Sequence, residues 1–206
     1  MTENTFDTAR MEALKEYSNL EYEICLLLKE VLRVEAAIAA AIFYQITNTR
    51  ARYAIIEGAL DINFQDTFAA SWPKLEKWLG PRDAARNHII HWGQDIHVMI
   101  LPKDGPGGLA GILTGETDIE VVQSLHLSNP TKKWRLGAKS VLYTEGEITD
   151  ERRKSSTMKH IINRLRNCIR EPDKWPWTDK FQQTITDSTP EAFLSRLNDA
   201  GYPTLP

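Results

Sequence analysis

Within the segment Gly80-Pro-Arg-Asp-Ala-Ala-Arg-Asn-His-Ile-Ile-His-Trp-Gly93, three residues have types and spacing that suit chemistry: Arg86, Asn87 and His91. An arginine stays charged at any ordinary pH and presents a planar fork that grips two oxygens of a phosphate or carboxylate. A histidine, with an ordinary pKa of about 6.5, takes up and gives back a proton near neutrality. An amide beside them can orient the imidazole or bind a ligand hydroxyl. Together they place a fixed cation, an amide and a titratable ring within reach of one ligand.

The elements around them must make that reach real. Pro81 is pre-set for a first helical turn, Asp83 suits the positive end of a helix, and Gly93 suits a stop, so the spacing predicts a helix from Pro81 to Gly93. On it Ala85, Ile89 and Trp92 share an apolar face, while Asp83, Asn87 and His91 follow at four-residue steps as a polar line. Arg86 lies five residues before His91, about 7.5 Å along the axis, and its long side chain must curl over a turn to join it. Asp83 is positioned to hold the imidazole through a neighbour, His88 is a nearby competitor for any proton transfer, and Glu76 and Asp83 are candidate ion-pair partners of Arg86.

Upstream, capping signals and helical spacing recur. Asp7 or Thr8 is placed to cap a first helix whose stripe is Met11, Leu14, Tyr17, Ile24, Leu27, Leu28 and Val31. The run Ala36 to Ala41, then Ile42, Phe43 and Ile46, continues as a second helix or an extension of the first. Asn48-Thr49 breaks the chain and caps a third over Arg50 to Leu60, with Tyr53, Ile56 and Leu60 at helical spacing, and Asp66 or Ser71 opens a fourth that ends at Gly80. The expected fold class is mainly α: an antiparallel helical bundle over residues 1–93, a small β-rich insertion of the same domain over 94–149, and a basic helix with a C-terminal tail over 150–206. In the middle part Ile96 to Leu101, Leu109 to Leu113, Ile119 to Leu127 and Trp134 to Tyr143 read as strands, Asp104 to Gly108 as a turn, and Glu145 to Thr149 as a connector. Asp150 to Arg170 carries the stripe Met158, Ile161, Ile162, Leu165 and Ile169, and a last short helix spans Pro190 to Ala200.

Arg86-Asn87-x-x-x-His91 resembles the Arg-x(4–6)-His motif of the HEPN superfamily, which favours a polar residue after the arginine. The helical run that ends in the motif is similar to that family's bundle, and the resemblance covers roughly residues 8–93. It implies a metal-independent endoribonuclease without a cofactor, often a toxin or defence effector, acting as a homodimer whose two motifs face each other. It also implies a partner protein such as an antitoxin or another defence component, and members that have lost catalysis serve as binding modules. Carried to this chain, Arg86 and His91 become catalytic and Asn87 supports them. RNA cleavage by its own 2′-hydroxyl needs a proton acceptor, a proton donor for the leaving oxygen and charge stabilisation at phosphorus, and no metal; an imidazole and a guanidinium supply these.

Composition bounds the alternatives. With 206 residues, 42% of them hydrophobic and 26% charged, the chain can bury one sizeable core. No stretch approaches the ~20 apolar residues of a membrane span, the N-terminus is acidic and polar, and two cysteines make no disulfide framework, so the expected setting is cytoplasmic. No His or Cys has a zinc-like spacing, and Gly105 to Gly108 lacks the Lys-Ser/Thr of a phosphate loop. Charge is unevenly placed: residues 1–38 hold eight acids against four bases, while 152–170 hold seven bases and no acid. Arg152, Arg153, Lys159, Arg164 and Arg166 are therefore candidates for contact with a nucleic-acid backbone, and the competing reading is a helix that balances an acidic neighbour. The residues thus leave two functions open, an RNA-cleaving or RNA-binding protein and a non-enzymatic helical interaction module in which the same motif is structural.

Overall fold

Apolar side chains at three- and four-residue steps, closed off by capping residues, build six helices among the described residues: α1 (Glu3–Leu32), α2 (Ala36–Gln45), α3 (Thr49–Phe64), α4 (Trp72–His91), α5 (Glu145–Arg170) and α6 (Pro190–Asp199). A short 3-10 turn, Ala69–Ser71, leads into α4. This computed structural model describes residues 3–64, 68–91, 93–102, 119–128, 142–176, 185 and 189–202. The expected strands at Leu109 to Leu113 and over residues 134–141, and the turn at Asp104 to Gly108, lie outside them. The chain forms two units, one from Glu12–Asn87 with Asp150–Pro206 and one from Met1–Met11 with His88–Thr149.

The first unit is a mainly helical bundle around one core. Leu20, Ile24, Leu27, Leu28 and Val31 of α1, Phe43 of α2, Tyr53, Ile56 and Leu60 of α3, and Trp72, Leu75 and Leu79 of α4 are buried in it. Met158, Ile161, Ile162, Leu165 and Ile169 of α5 join the same core, as do Phe193 and Leu197 of α6 and Trp175 at its margin. The basic helix α5 and the helix α6, read from the sequence within a segment of their own, are thus part of the bundle. Met11, placed on the apolar stripe of α1 by its spacing, is instead exposed, and the buried line runs Ala13, Tyr17, Leu20, Ile24.

Local signals set most boundaries. Asn48 Oδ1 accepts from the backbone N–H of Arg50 (2.9 Å) and Ala51 (3.3 Å), capping α3. Thr189 caps α6 by accepting from Ala192 N at 3.3 Å, with Pro190 at the first helical position. The other end of α6 closes with Gly201 at φ 78°, Gly201 N donating to Asn198 O (2.9 Å) and Tyr202 N to Leu197 O (3.0 Å). That is a Schellman turn, which needs a left-handed residue.

Three boundaries depart from the sequence reading. Asp7 and Thr8 lie inside α1, which begins at Glu3, so neither caps it. Glu145 to Thr149 is the first turn of α5, not a connector. Thr144 Oγ1 accepts from Glu147 N (3.2 Å) while Glu147 Oε2 accepts from Thr144 N (2.7 Å), a reciprocal capping box that satisfies two orphan donors. The expected fourth and fifth helices are one: α4 runs through Gly80 and Pro81. An interior proline costs about 3 kcal/mol and a glycine about 1, yet Leu75 and Leu79 before the pair and Ala85 after it are all buried. Arg82 pairs with Glu151 at 2.5 Å, and anchorage on both sides overrides the local preference to stop.

In the second unit Phe6, Ala9, Ile89 and Ile148 are buried. Its strands β1 (Gly93–Pro102), β2 (Ile119–Ser128) and β3 (Leu142–Tyr143) form one antiparallel sheet in the order β1-β2-β3, with Gly93 opposite Ser128 and Pro102 opposite Ile119. Arg10 closes the end of α4 from α1, donating Nε to Ile89 O (2.8 Å) and Nη2 to Ile90 O (3.0 Å). A guanidinium there satisfies terminal carbonyls and complements the negative end of the helix.

Candidate functional site

Arg86, Asn87 and His91 all lie in the last turns of α4, the first two in the bundle unit and His91 in the sheet-bearing unit. In the bundle unit Arg86 Nη1 donates to Asn87 Oδ1 at 2.9 Å, and its guanidinium carbon sits 5.9 Å from the centre of the Tyr17 ring. That distance is within the range of a cation–π contact. Arg86 makes no ion pair with Glu76 or Asp83, the partners its sequence neighbourhood suggested. Its charge meets a ring face and a neutral amide, and no carboxylate among the described residues pairs with it.

Asp83 has a different task from the one its spacing suggested. Its carboxylate accepts from the Tyr17 hydroxyl and from the Tyr53 hydroxyl (3.1 and 3.2 Å to its two oxygens), which ties α4 to α1 and α3. Burial raises its pKa above the ordinary 3.8, and the two hydroxyl bonds only partly oppose this. Arg52 stands nearby: Nε donates to Ile46 O at 2.6 Å, Nη1 meets Glu21 at 2.8 Å, and the guanidinium lies 4.4 Å from the Phe43 ring centre. Tyr17 and Tyr53 were legible only as members of apolar stripes. The clue available was their type, because a buried tyrosine must give its hydroxyl a partner.

This network has a pH signature. Burial, followed by the charge of Asp83, pushes the hydroxyls of Tyr17 and Tyr53 far above the ordinary 10.0. Above pH 10.0 the unfolded chain releases these protons while the folded chain keeps them, so stability falls as pH rises. The fall is about 1.4 kcal/mol per pH unit for each tyrosine. Melting temperatures across alkaline pH should therefore drop in the wild type and drop less steeply in Tyr53→Phe. At neutral pH the same variant should be about 1 kcal/mol less stable, because Asp83 loses a bond.

In the sheet-bearing unit His91 is exposed and has no hydrogen bond among the described contacts. His88 is half-buried, with Nδ1 3.3 Å from the Tyr143 hydroxyl and the two ring centres 5.8 Å apart. Among the described residues no group of three or more His, Cys, Asp or Glu side chains is placed to hold a metal ion. Cys25 and Cys168 are separate, buried thiols.

The basic helix is largely engaged within the bundle. Arg152 pairs with Glu12, Lys159 with Glu16 at 2.5 Å, and Arg166 with Glu23 at 3.4 Å, so α1 and α5 face each other through successive ion pairs. Burial alone would raise the Glu16 carboxyl, but bonds from Lys159, Asn19 and Ser156 bring it below its ordinary value. Arg153 pairs with Asp150 at 2.9 Å and lies 3.7 Å from Glu191. Arg164, expected on the same nucleic-acid face, is only 1% exposed and lies behind α6, out of reach of a polyanion. Its guanidinium donates to Asn198 Oδ1, His160 O (3.3 Å) and Tyr202 O (3.4 Å).

Compared with models of protein families, with curated proteins and with solved structures, the chain has no match. No described helix is long and apolar enough to cross a membrane.

Proposed function

We propose that this chain is an HEPN-like, metal-independent endoribonuclease, with Arg86 and His91 catalytic and Asn87 in support. The observation that carries the reading is Arg86: a guanidinium without a carboxylate partner among the described residues, steadied by Tyr17 and Asn87, on the helix that also bears an exposed histidine. Such a cation retains its capacity for phosphate oxygens. In the reaction the RNA 2′-hydroxyl attacks phosphorus and gives up its proton to an imidazole. The bond from phosphorus to the 5′-oxygen breaks, and that oxygen takes a proton from an imidazolium. Arg86 stabilises the charge that builds on the phosphoryl oxygens. Two copies with facing motifs supply the two histidines, and a toxin or defence role with a protein partner follows from the same resemblance.

Purified protein incubated with structured and single-stranded RNAs in EDTA should give fragments ending in a 2′,3′-cyclic phosphate. Failure to cut any of them, or cleavage that needs added metal, overturns the reading. A second reading, a non-enzymatic helical interaction module, is favoured by the ion pairing of α5, which leaves little uncompensated charge there for RNA. In that case Arg86 serves the packing of α4 against Tyr17.

A further inference from the structure

The ten residues of α2, Ala-Ala-Ile-Ala-Ala-Ala-Ile-Phe-Tyr-Gln, include no charged side chain. A helix apolar on every side is normally covered on every side, yet this one packs only Ala39 and Phe43 fully into the core. Its outer face, Ala37, Ile38, Ala41 and Tyr44, follows helical spacing and is exposed; Ile38 and Tyr44 keep 51% and 52% of their surface open. Tyr22 of α1 is likewise exposed, at 56%. Scattered single apolar residues on a surface are ordinary, but a continuous apolar helix face marks an interaction site.

We propose that this face pairs with the same face of a second copy, the two α2 helices running antiparallel across a two-fold axis. A two-fold contact sets a surface against itself, so a face of one charge sign repels its copy and an uncharged one does not. Ala37 and Ala41 let the backbones approach, with Ile38 and Tyr44 filling the space beside them. The ends of the helix fix the direction. Glu35 stands exposed before α2 and makes no side-chain cap. Arg50 stands exposed beyond its other end, without an ion pair among the described residues. Antiparallel pairing brings each Glu35 toward the other copy's Arg50, twice per dimer, whereas parallel pairing brings like charges together. The patch is smaller than the roughly 800 Å² per partner of a standard interface, so the association is weak and depends on concentration. This contact is separate from the facing motifs of the nuclease reading and does not rest on it.

The test is sedimentation velocity on the full chain from low to high micromolar concentration, with circular dichroism to check each variant's fold. The wild type should double in mass as concentration rises relative to Ile38→Lys and Tyr44→Ala, each of which should lose that α2-dependent step at every concentration. Glu35→Arg and Arg50→Glu should each weaken the dimer at least several-fold, while the double variant recovers wild-type association, because the swapped charges meet again. These two exposed positions lie outside the core, so their variants remain informative if Ile38→Lys misfolds. A wild type that stays monomeric, a dimer indifferent to the α2 variants, or a double variant that fails to recover would each overturn the proposal. A dimer lost only on substituting residues of α4 would assign self-association to the motif instead.

Discussion

His91→Ala should reduce RNA cleavage by about two to four powers of ten, the usual worth of a positioned general acid–base group. RNA binding should stay nearly unchanged. The exposure of His91 makes this a clean measurement, because an exposed side chain away from packing seldom changes stability by more than about 0.5 kcal/mol. A melt of the variant should therefore overlay the wild type. Arg86→Ala should lower both cleavage and binding, because it removes phosphate contact and transition-state charge together. It should also cost some stability by uncovering the Tyr17 ring. Arg86→Lys separates the effects: it keeps the charge but loses the fork, so binding recovers further than turnover. If His91→Ala cleaves as well as the wild type, His91 is not the proton-transfer group and the nuclease assignment of α4 is lost.

Substituting Arg164 should have the largest effect on stability. It is a buried guanidinium whose described partners are two backbone carbonyls and an amide, and burial depresses its pKa. Truncation to alanine opens a cavity and removes the donor that Asn198 and the Tyr202 and His160 carbonyls accept from, so Arg164→Ala should cost about 3–5 kcal/mol. Arg164→Met fills much of the same volume without a charge and should cost distinctly less. Urea unfolding measures both. In the same variants the salt dependence of RNA affinity should not change, because Arg164 lies out of reach of phosphates. Arg153 is the informative contrast: it is largely exposed, with side-chain exposure of 59%, and its loss should leave stability nearly untouched.

What the sequence conveyed well was periodicity. Ile161, Ile162 and Leu165 fall on the buried side of α5 as spacing demanded, and Asn48 starts α3 because it offers a short side-chain acceptor. What it conveyed poorly depends on partners distant in the chain. Pro81 reads as a helix start because its ring favours a first turn, and only burial on either side shows why the helix continues through it. Asp83 reads as a charge for the helix dipole, and nothing near it in sequence announces Tyr17 and Tyr53. The bases of α5 read as a stripe for a polyanion, yet Glu12, Glu16 and Glu23 meet them from more than a hundred residues away. The capping box Thr144–Glu147 was available in four letters and was masked by the glycine inside it.

The uninterrupted course of α4 through Pro81 has a consequence for how that helix moves. Proline has no amide hydrogen, so the rung that would close on the Lys77 carbonyl cannot exist, and the backbone ladder is discontinuous at mid-length. A continuous ladder resists opening as a whole, whereas a broken one lets the segments on either side exchange their amide protons with solvent at separate rates. Trp72 to Gly80 is secured by Trp72, Leu75 and Leu79, and the stretch from Arg82 onward by Arg82, Asp83 and Ala85. The half bearing Arg86 thus carries its own local free energy of opening, and a ligand gripped there can slow its exchange without stiffening the half that holds the core.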